Sequence, residues 1–436
     1  MYTSHEDIGY DLEDDRKAKN KKTLKPHPDI DGGWAWMMVL SSFFVHILIM
    51  GSQMALGVLN VEWLEEFHQS RGLTAWVSSL SMGITLIVGP FIGLFINTCG
   101  CRQTAIIGGL VNSLGWVLSA YAANVQSLFI TFGVAAGLGS GMAYLPAVVM
   151  VGRYFQKRRA LAQGLSTTGT GFGTFLMTVL LKYLCAEYGW RNAMFIQGAL
   201  SLNLCVCGAL MRPLSPEKVE NCSGAEEPCY FGTASLFTNR MFVAFIFWAL
   251  FAYSSFVIPF IHLPEIVSLY NLSEQNDAFP LTSIIAILHI FGKVILGAVA
   301  DLPCISVWNV FLIANFTLVL SIFLLPLMHT YASLAVICAL IGFSSGYFSL
   351  MPVVTEDLVG TEHLANAYGI IICANGISAL LGPPFAGWIF DITQKYDFSF
   401  YICGLLYMVG ILFLLIQPCI QMTEQSGRKC MDSAHV

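Results

Sequence analysis

The sequence predicts an all-α membrane protein with twelve transmembrane helices in two six-helix bundles, on three observations. Apolar runs long enough to cross a bilayer, about 20 residues each, recur along nearly all of its 436 residues. Charged residues make up 11% of the chain and hydrophobic ones 56%, whereas soluble domains carry roughly 25% charged. A polar stretch, Arg212 to Thr238, interrupts the runs midway, and Pro213, Pro216, Gly224 and Pro228 break any helix there.

In chain order, residues 1–31 form a polar tail with no cleavable signal, because the first apolar run, Trp34 to Val58, is long enough to remain in the membrane. Five more spans follow: Ala75 to Ile96, Gln103 to Ala122, Leu128 to Val151, Leu161 to Cys185 and Asn192 to Met211. Residues 32–211 thus make the first bundle and 212–239 a central loop. The second bundle, 240–418, holds Met241 to Ile261, Phe279 to Ala300, Val307 to Leu327, Ala332 to Val354, Leu364 to Phe390 and Phe398 to Ile416, before a tail at 419–436. The halves echo each other, since Gly93 to Asn97 ends span 2 as Gly297 to Asp301 ends span 8. Such a repeat is common in two-bundle carriers.

With both termini in the cytosol, Lys and Arg should collect in the tails and in the loops on that side. Sixteen of the 21 do, leaving Arg71, Lys182, Arg191 and Lys395 outside and Lys293 within span 8. Glycines 133, 137, 139 and 141 in span 4 and Gly164, Gly169, Gly171 and Gly173 in span 5 let backbones approach closely. They allow either static packing or the rocking of one bundle on the other. Pro146, Pro259, Pro352 and Pro383-Pro384 fall inside spans, where each favours a kink.

Several chemistries find no support. The 13 cysteines are scattered, and the pairs Cys99/Cys101 and Cys205/Cys207 have no second pair or neighbouring His, so no disulfide framework or metal site is predicted. No Gly-x-x-x-x-Gly-Lys-Ser/Thr loop points to ATP drive. No nucleophile and base suggest an enzyme, and neither a cofactor nor a nucleic acid is expected. Asn271-Leu-Ser273 is a glycosylation sequon in an outer loop; those at Asn221 and Asn315 fall in cytosol and membrane.

Two local sequences go beyond generic hydrophobicity. Asp31-Gly32-Gly33-Trp34-Ala-Trp36 opens span 1 and puts two indoles at the membrane interface. Tyr154-Phe155-Gln-Lys157-Arg158-Arg159-Ala-Leu-Ala-Gln-Gly164, followed by Gly169 and Gly173, sets a basic cluster beside anionic headgroups and then a smooth helix face. At these residues the chain resembles the monocarboxylate transporter family of the major facilitator superfamily, and the resemblance covers residues 31 to about 418. It departs in the central loop, which is short for that family. The resemblance implies the major facilitator fold, a plasma-membrane location, and a single-span glycoprotein chaperone as a candidate partner besides the bilayer.

Ionisable groups inside spans are candidates for function, because an unpaired charge there is costly. Span 8 places His289 roughly 15 Å deep, at 1.5 Å per residue, and Lys293 one turn further on the same face. In the resembled family these places carry an Asp and an Arg that grips the substrate carboxylate, and its proton-accepting Lys in span 1 falls on Met54. His46, Met50 and Met54 line one span-1 face at i,i+4 spacing and are candidates to border the same cavity. His46, Tyr144 and Asn375 each read as interhelical hydrogen-bonding groups or as pore lining, and Glu356 and Asp357 as solvated or gate-bridging carboxylates.

Lys293 has no Asp or Glu in any span to offset it, so the site favours an anion. His289 is the candidate for a co-transported proton: a cationic neighbour disfavours its protonation and a bound carboxylate favours it again. The expected activity is alternating-access transport of a small monocarboxylate or related organic anion with a proton. A proton-independent facilitator of aromatic or weakly charged solutes and a non-transporting solute sensor stand as alternatives.

Overall fold

The computed structural model describes residues 30–69, 71–213, 236–253, 281–393 and 397–415. Expectations for Pro259, Lys395 and the sequons at Asn221 and Asn271 lie outside these residues. Every regular element among the described residues is helical. Eight helices there are long and apolar enough to cross a membrane, and a ninth forms if Trp76–Ile87 and Gly89–Cys99, bent by 47°, are taken together.

Two continuous helices change course at a glycine, Gly100 with φ 82° and Gly189 with φ 76°. Only glycine takes such a backbone without a Cβ penalty. Each therefore supplies two legs, and in the second the amide of Gln197 returns to within 3.8 Å of Met177 Sδ. Helical legs thus fall in each of the twelve predicted segments. They are α1 (Gly33–Met54), α2 (the bent pair), α3 (101–120), α4 (Val125–Tyr154), α5 (159–188) and α6 (190–210) in the first half. The second half has α7 (Arg240–Tyr253), α8 (Leu281–Ala300), α9 (Val307–Leu327), α10 (Tyr331–Val359), α11 (Leu364–Thr393) and α12 (Asp397–Leu415).

The buried core runs through both halves, and its packing differs between them. In the first, glycines seat helix on helix: a Cβ on Gly139 would lie 2.2 Å from the backbone of Asn112, and one on Gly115 would lie 2.5 Å from Ala136. In the second, Phe245, Trp248, Phe311 and Tyr347 make a fully buried aromatic cluster. Asn315, 0% exposed, ties it together by accepting from Trp248 Nε1 and Tyr407 and donating to the Phe311 carbonyl. Its amide is committed inside the bundle, as the rejection of that sequon requires.

The kinks fall where proline alone does not put them. Helix α4 passes through Pro146 without a break, and its irregular part is a π segment upstream, Phe129–Ala136. The sharp bend lies at Val88 and Gly89, just before Pro90. Three more interruptions occur: a π turn at Ile47–Gly51 in α1, packed on α5 of the same half, a turn at Thr168 in α5, and a 3-10 stretch at Ser345–Ser349 in α10, with Pro352 opening the helix that follows. Such segments often mark functional hinges.

The beginning of α1, the α4–α5 turn, and the ends of α6, α8 and α10 meet at one face, here called the tail face. Tyr154 donates to the Arg212 carbonyl at 2.8 Å, and the Arg212 guanidinium covers the Trp34 ring at 3.9 Å. At the opposite face Arg191 pairs with Glu66 at 2.7 Å. That guanidinium holds the Glu66 carboxyl below its ordinary range.

Candidate solute site between the bundles

Helix α8 is wedged between α5 of one half and α10 of its own by absent side chains. A Cβ on Gly164 would sit 2.5 Å from the Lys293 carbonyl oxygen, and one on Gly346 would sit 2.7 Å from the Lys293 nitrogen. With both backbones this close, the Lys293 side chain lies across the interface. Its ammonium donates to the Thr167 carbonyl at 2.9 Å, one residue before the turn at Thr168. Lys293 is 3% exposed and His289 7%. The spacing did place both on one buried face. Among the described residues no carboxylate pairs with Lys293, so its charge is met by a backbone dipole alone.

His289 Nδ1 lies 2.6 Å from the Ser345 hydroxyl, which itself donates to the Gly342 carbonyl at 2.6 Å. With that hydroxyl hydrogen engaged, the imidazole Nδ1–H is the donor. The contact fastens α8 to the interrupted stretch of α10, and Phe348 packs edge-on against the ring.

The helix-1 candidates differ in burial. His46 is 1% exposed and Met50 7%, but Met54, the last residue of α1, is 38% exposed. Tyr144 meets the His46 ring edge-on at 5.3 Å. Asn375 is buried on α11. A small polar cleft lined by Ser52, Gln53, Ser81, Asn112 and Ser140 lies elsewhere, inside the first bundle.

The two sequence signatures, over 120 residues apart, touch. The Asp31 carboxylate accepts from the Gln156 and Lys157 amides, at 3.0 and 3.2 Å, and its own amide donates to the Tyr154 carbonyl at 2.9 Å. Trp36 packs edge-on against Phe155 at 5.3 Å. A Cβ on Gly169 would lie 2.2 Å from the Phe43 carbonyl, and one on Gly173 would lie 2.6 Å from Ile47. The span-5 glycines are thus seats, two for α1 and, with Gly164 and Gly171, two for α8.

At the tail face the halves are closed on each other. Asp301 accepts from the Ala160 and Leu161 amides that open α5, at 3.1 and 2.8 Å. Partial burial holds the Asp301 carboxyl above its ordinary range despite those two donors. Arg159 bridges to the buried Glu356 at 3.0 Å and to the exposed Asp357 at 3.6 Å. Asn97 donates to Asn366 at 2.9 Å. Sequence reasoning did not single out Thr167 or Ser345. Thr167 contributes a backbone carbonyl, which has no residue-type signal, and Ser345 stands in an unremarkable small-residue run.

A family model described as Major Facilitator Superfamily matches residues 42–371 and 308–428. The chain is 83% identical to monocarboxylate transporter 14 of Mus musculus and 78% identical to that of Homo sapiens, each over 512 aligned positions covering all of both chains. It is 34% identical to monocarboxylate transporter 9 of Rattus norvegicus, covering 91% of this chain and 95% of the relative. Among solved structures, the human organic anion transporter MFSD10 superposes with a TM-score of 0.67 at 13% identity, covering 87% of this chain and 99% of that one. This last likeness concerns the fold alone.

Proposed function

The chain belongs to the monocarboxylate transporter family of the major facilitator superfamily and is a membrane transporter, and on that premise we propose that it moves a small organic monocarboxylate by alternating access. Lys293 anchors the solute carboxylate. The supporting observation is a buried ammonium at the bundle interface, held by the Thr167 carbonyl and by no carboxylate among the described residues. A charge so placed is poorly compensated, and an incoming carboxylate supplies what the backbone dipole does not.

The same bond supports a mechanical reading. Lys293 belongs to one half and Thr167 to the other, at the turn in α5. When a carboxylate takes the ammonium from Thr167, it loosens a tie between the bundles at mid-depth. The Asp301 and Arg159 contacts hold the tail face closed meanwhile. In this reading the tail face is cytosolic, the membrane is the plasma membrane, and the closed face is the one that opens to release solute.

His289 is the proposed proton carrier. It lies one turn from Lys293 and is fastened to α10 through Ser345. A proton on its ring and a carboxylate on Lys293 each offset the cost of the other. Vesicles containing the purified protein test the reading: uptake of monocarboxylates should rise with an inward proton gradient and fall at least about a hundredfold in Lys293→Ala, the scale of truncating one member of a buried charge contact. Lys293→Arg should keep partial uptake. Full uptake by the Ala variant would refute the anchor, and uptake indifferent to the gradient would refute the coupling.

A further inference from the structure

His46 of α1 is 1% exposed, and its ring has one nitrogen accounted for. Nδ1 lies 2.7 Å from the Ser42 carbonyl oxygen. A carbonyl only accepts, so Nδ1 carries the hydrogen and Nε2 presents a lone pair. That Nε2 is buried with no hydrogen-bond partner. Native interiors rarely leave such an acceptor unpaired, and each exception calls for an explanation.

Its position supplies one. From α4, the Tyr144 ring stands edge-on to the imidazole at 5.3 Å. From α5, the backbone at Gly169 approaches so closely that a Cβ there would lie 3.0 Å from the His46 Cβ. From α8, the Lys293 ammonium reaches the Thr167 carbonyl, two residues before that Gly169 contact. Around His46 thus stand the Tyr144 phenol ring, the Ser42 hydroxyl 3.5 Å from Nδ1, the α5 backbone at Gly169 and, through the Thr167 carbonyl, the proposed anion anchor. An ammonium donor and an imidazole acceptor lie in one neighbourhood of the bundle interface, one from each half.

We propose that His46 is a specificity-determining residue of this site: Nε2 accepts a hydrogen bond from a hydroxyl or N–H on the transported anion. The solutes favoured are carboxylates that carry such a donor, over plain carboxylates of equal size. This inference rests on the reading that Lys293 holds the carboxylate. A site built to pair with a substrate donor discriminates strongly against the analogue lacking it, because the buried acceptor is then left unpaired.

The test compares matched pairs in vesicles holding the full chain: 2-hydroxypropanoate against propanoate, and 2-hydroxy-3-phenylpropanoate against 3-phenylpropanoate. Wild-type kcat/KM should favour the hydroxy acid of at least one pair about tenfold or more. His46→Phe, which has no acceptor, should bring that ratio near one, and His46→Gln, whose amide oxygen still accepts, should keep it above one. A wild-type ratio near one, or an unchanged ratio in His46→Phe, overturns the inference. Lys293→Ala separates the two readings. If it removes uptake of both members while His46→Phe leaves the ratio intact, His46 alone is misassigned. Survival of uptake in Lys293→Ala, or no uptake of any probe by the wild type, overturns the anion anchor and this inference together.

Discussion

Two seams join the bundles, α2 against α11 and α5 against α8, and they share a layout while differing in chemistry. In each, the second helix of one half packs on the fifth helix of the other, glycine against backbone. The α2–α11 seam is seated on glycines: Gly89 and Gly369 meet backbone to backbone, Gly376 receives Leu86 and Ile87, and Gly83 receives Leu380. Its single polar closure named here, Asn97 to Asn366, is neutral. The α5–α8 seam has the same glycine seats at Gly164, Gly171 and Gly297. It adds the Lys293 ammonium at mid-depth and the Asp301 carboxylate at the tail face. The geometry common to both seams makes a close sliding contact, and the charges make one of them answerable to a solute.

Substitutions can break this comparison, and the largest effect belongs to the α2–α11 seam. A Cβ on Gly369 would lie 2.5 Å from the Gly89 carbonyl oxygen, with backbone on both sides and no flexible side chain to yield. Gly369→Ala should therefore cost several kcal/mol, on the order of other overpacked interiors, and appear as lost yield and a lower Tm in detergent. A Gly369→Ala protein as stable as wild type would mean that the seam is looser than its contacts indicate.

The tail-face carboxylate comes next. Asp301→Ala leaves two amides of the first turn of α5 without their acceptor, worth about 1–2 kcal/mol by analogy with a lost helix cap. Cysteine labelling at the tail face should then rise roughly tenfold. Asp301→Asn keeps an acceptor and should rise less. The pH dependence has a definite sign. Burial raises this carboxyl's affinity for a proton in the closed form, whereas in an opened form that exposes it to water the affinity returns to the ordinary value. Falling pH therefore favours the closed tail face as it passes through the carboxyl's raised range, and rising pH relaxes it. Asp301→Asn should abolish that dependence, and its persistence would assign the titration to another group.

The smallest effect is expected at the equivalent position of the other seam. Asn97 is exposed, and its bond to Asn366 is neutral. Asn97→Ala should change Tm and flux by no more than an ordinary surface substitution, within about 0.5 kcal/mol. A large loss of flux there would erase the contrast between the seams.

Much of this arrangement is legible in the sequence, for identifiable reasons. Spans declare themselves because a bilayer demands some 20 apolar residues at a time, and helical legs do fall in all twelve places. Lys293 stands out because a charge in a span is rare, and the helical repeat alone puts His289 beside it. The π turn in α1 leaves no mark in residue type. Met54, at the position counted from Asp31, is 38% exposed. Proline was an incomplete guide to bending: Pro146 is absorbed within α4, whereas α2 bends before Pro90. The Thr167 carbonyl was invisible because every residue has one.

The start of α5 is held from two directions, by Asp31 and by Asp301. Asp31 directly follows the polar stretch that precedes α1, so the boundary of that stretch is also a fastener. A protein trimmed to begin at Gly33 would keep every span and lose one of the two hands on α5. Chain ends chosen by hydropathy alone would discard that hand as dispensable leader.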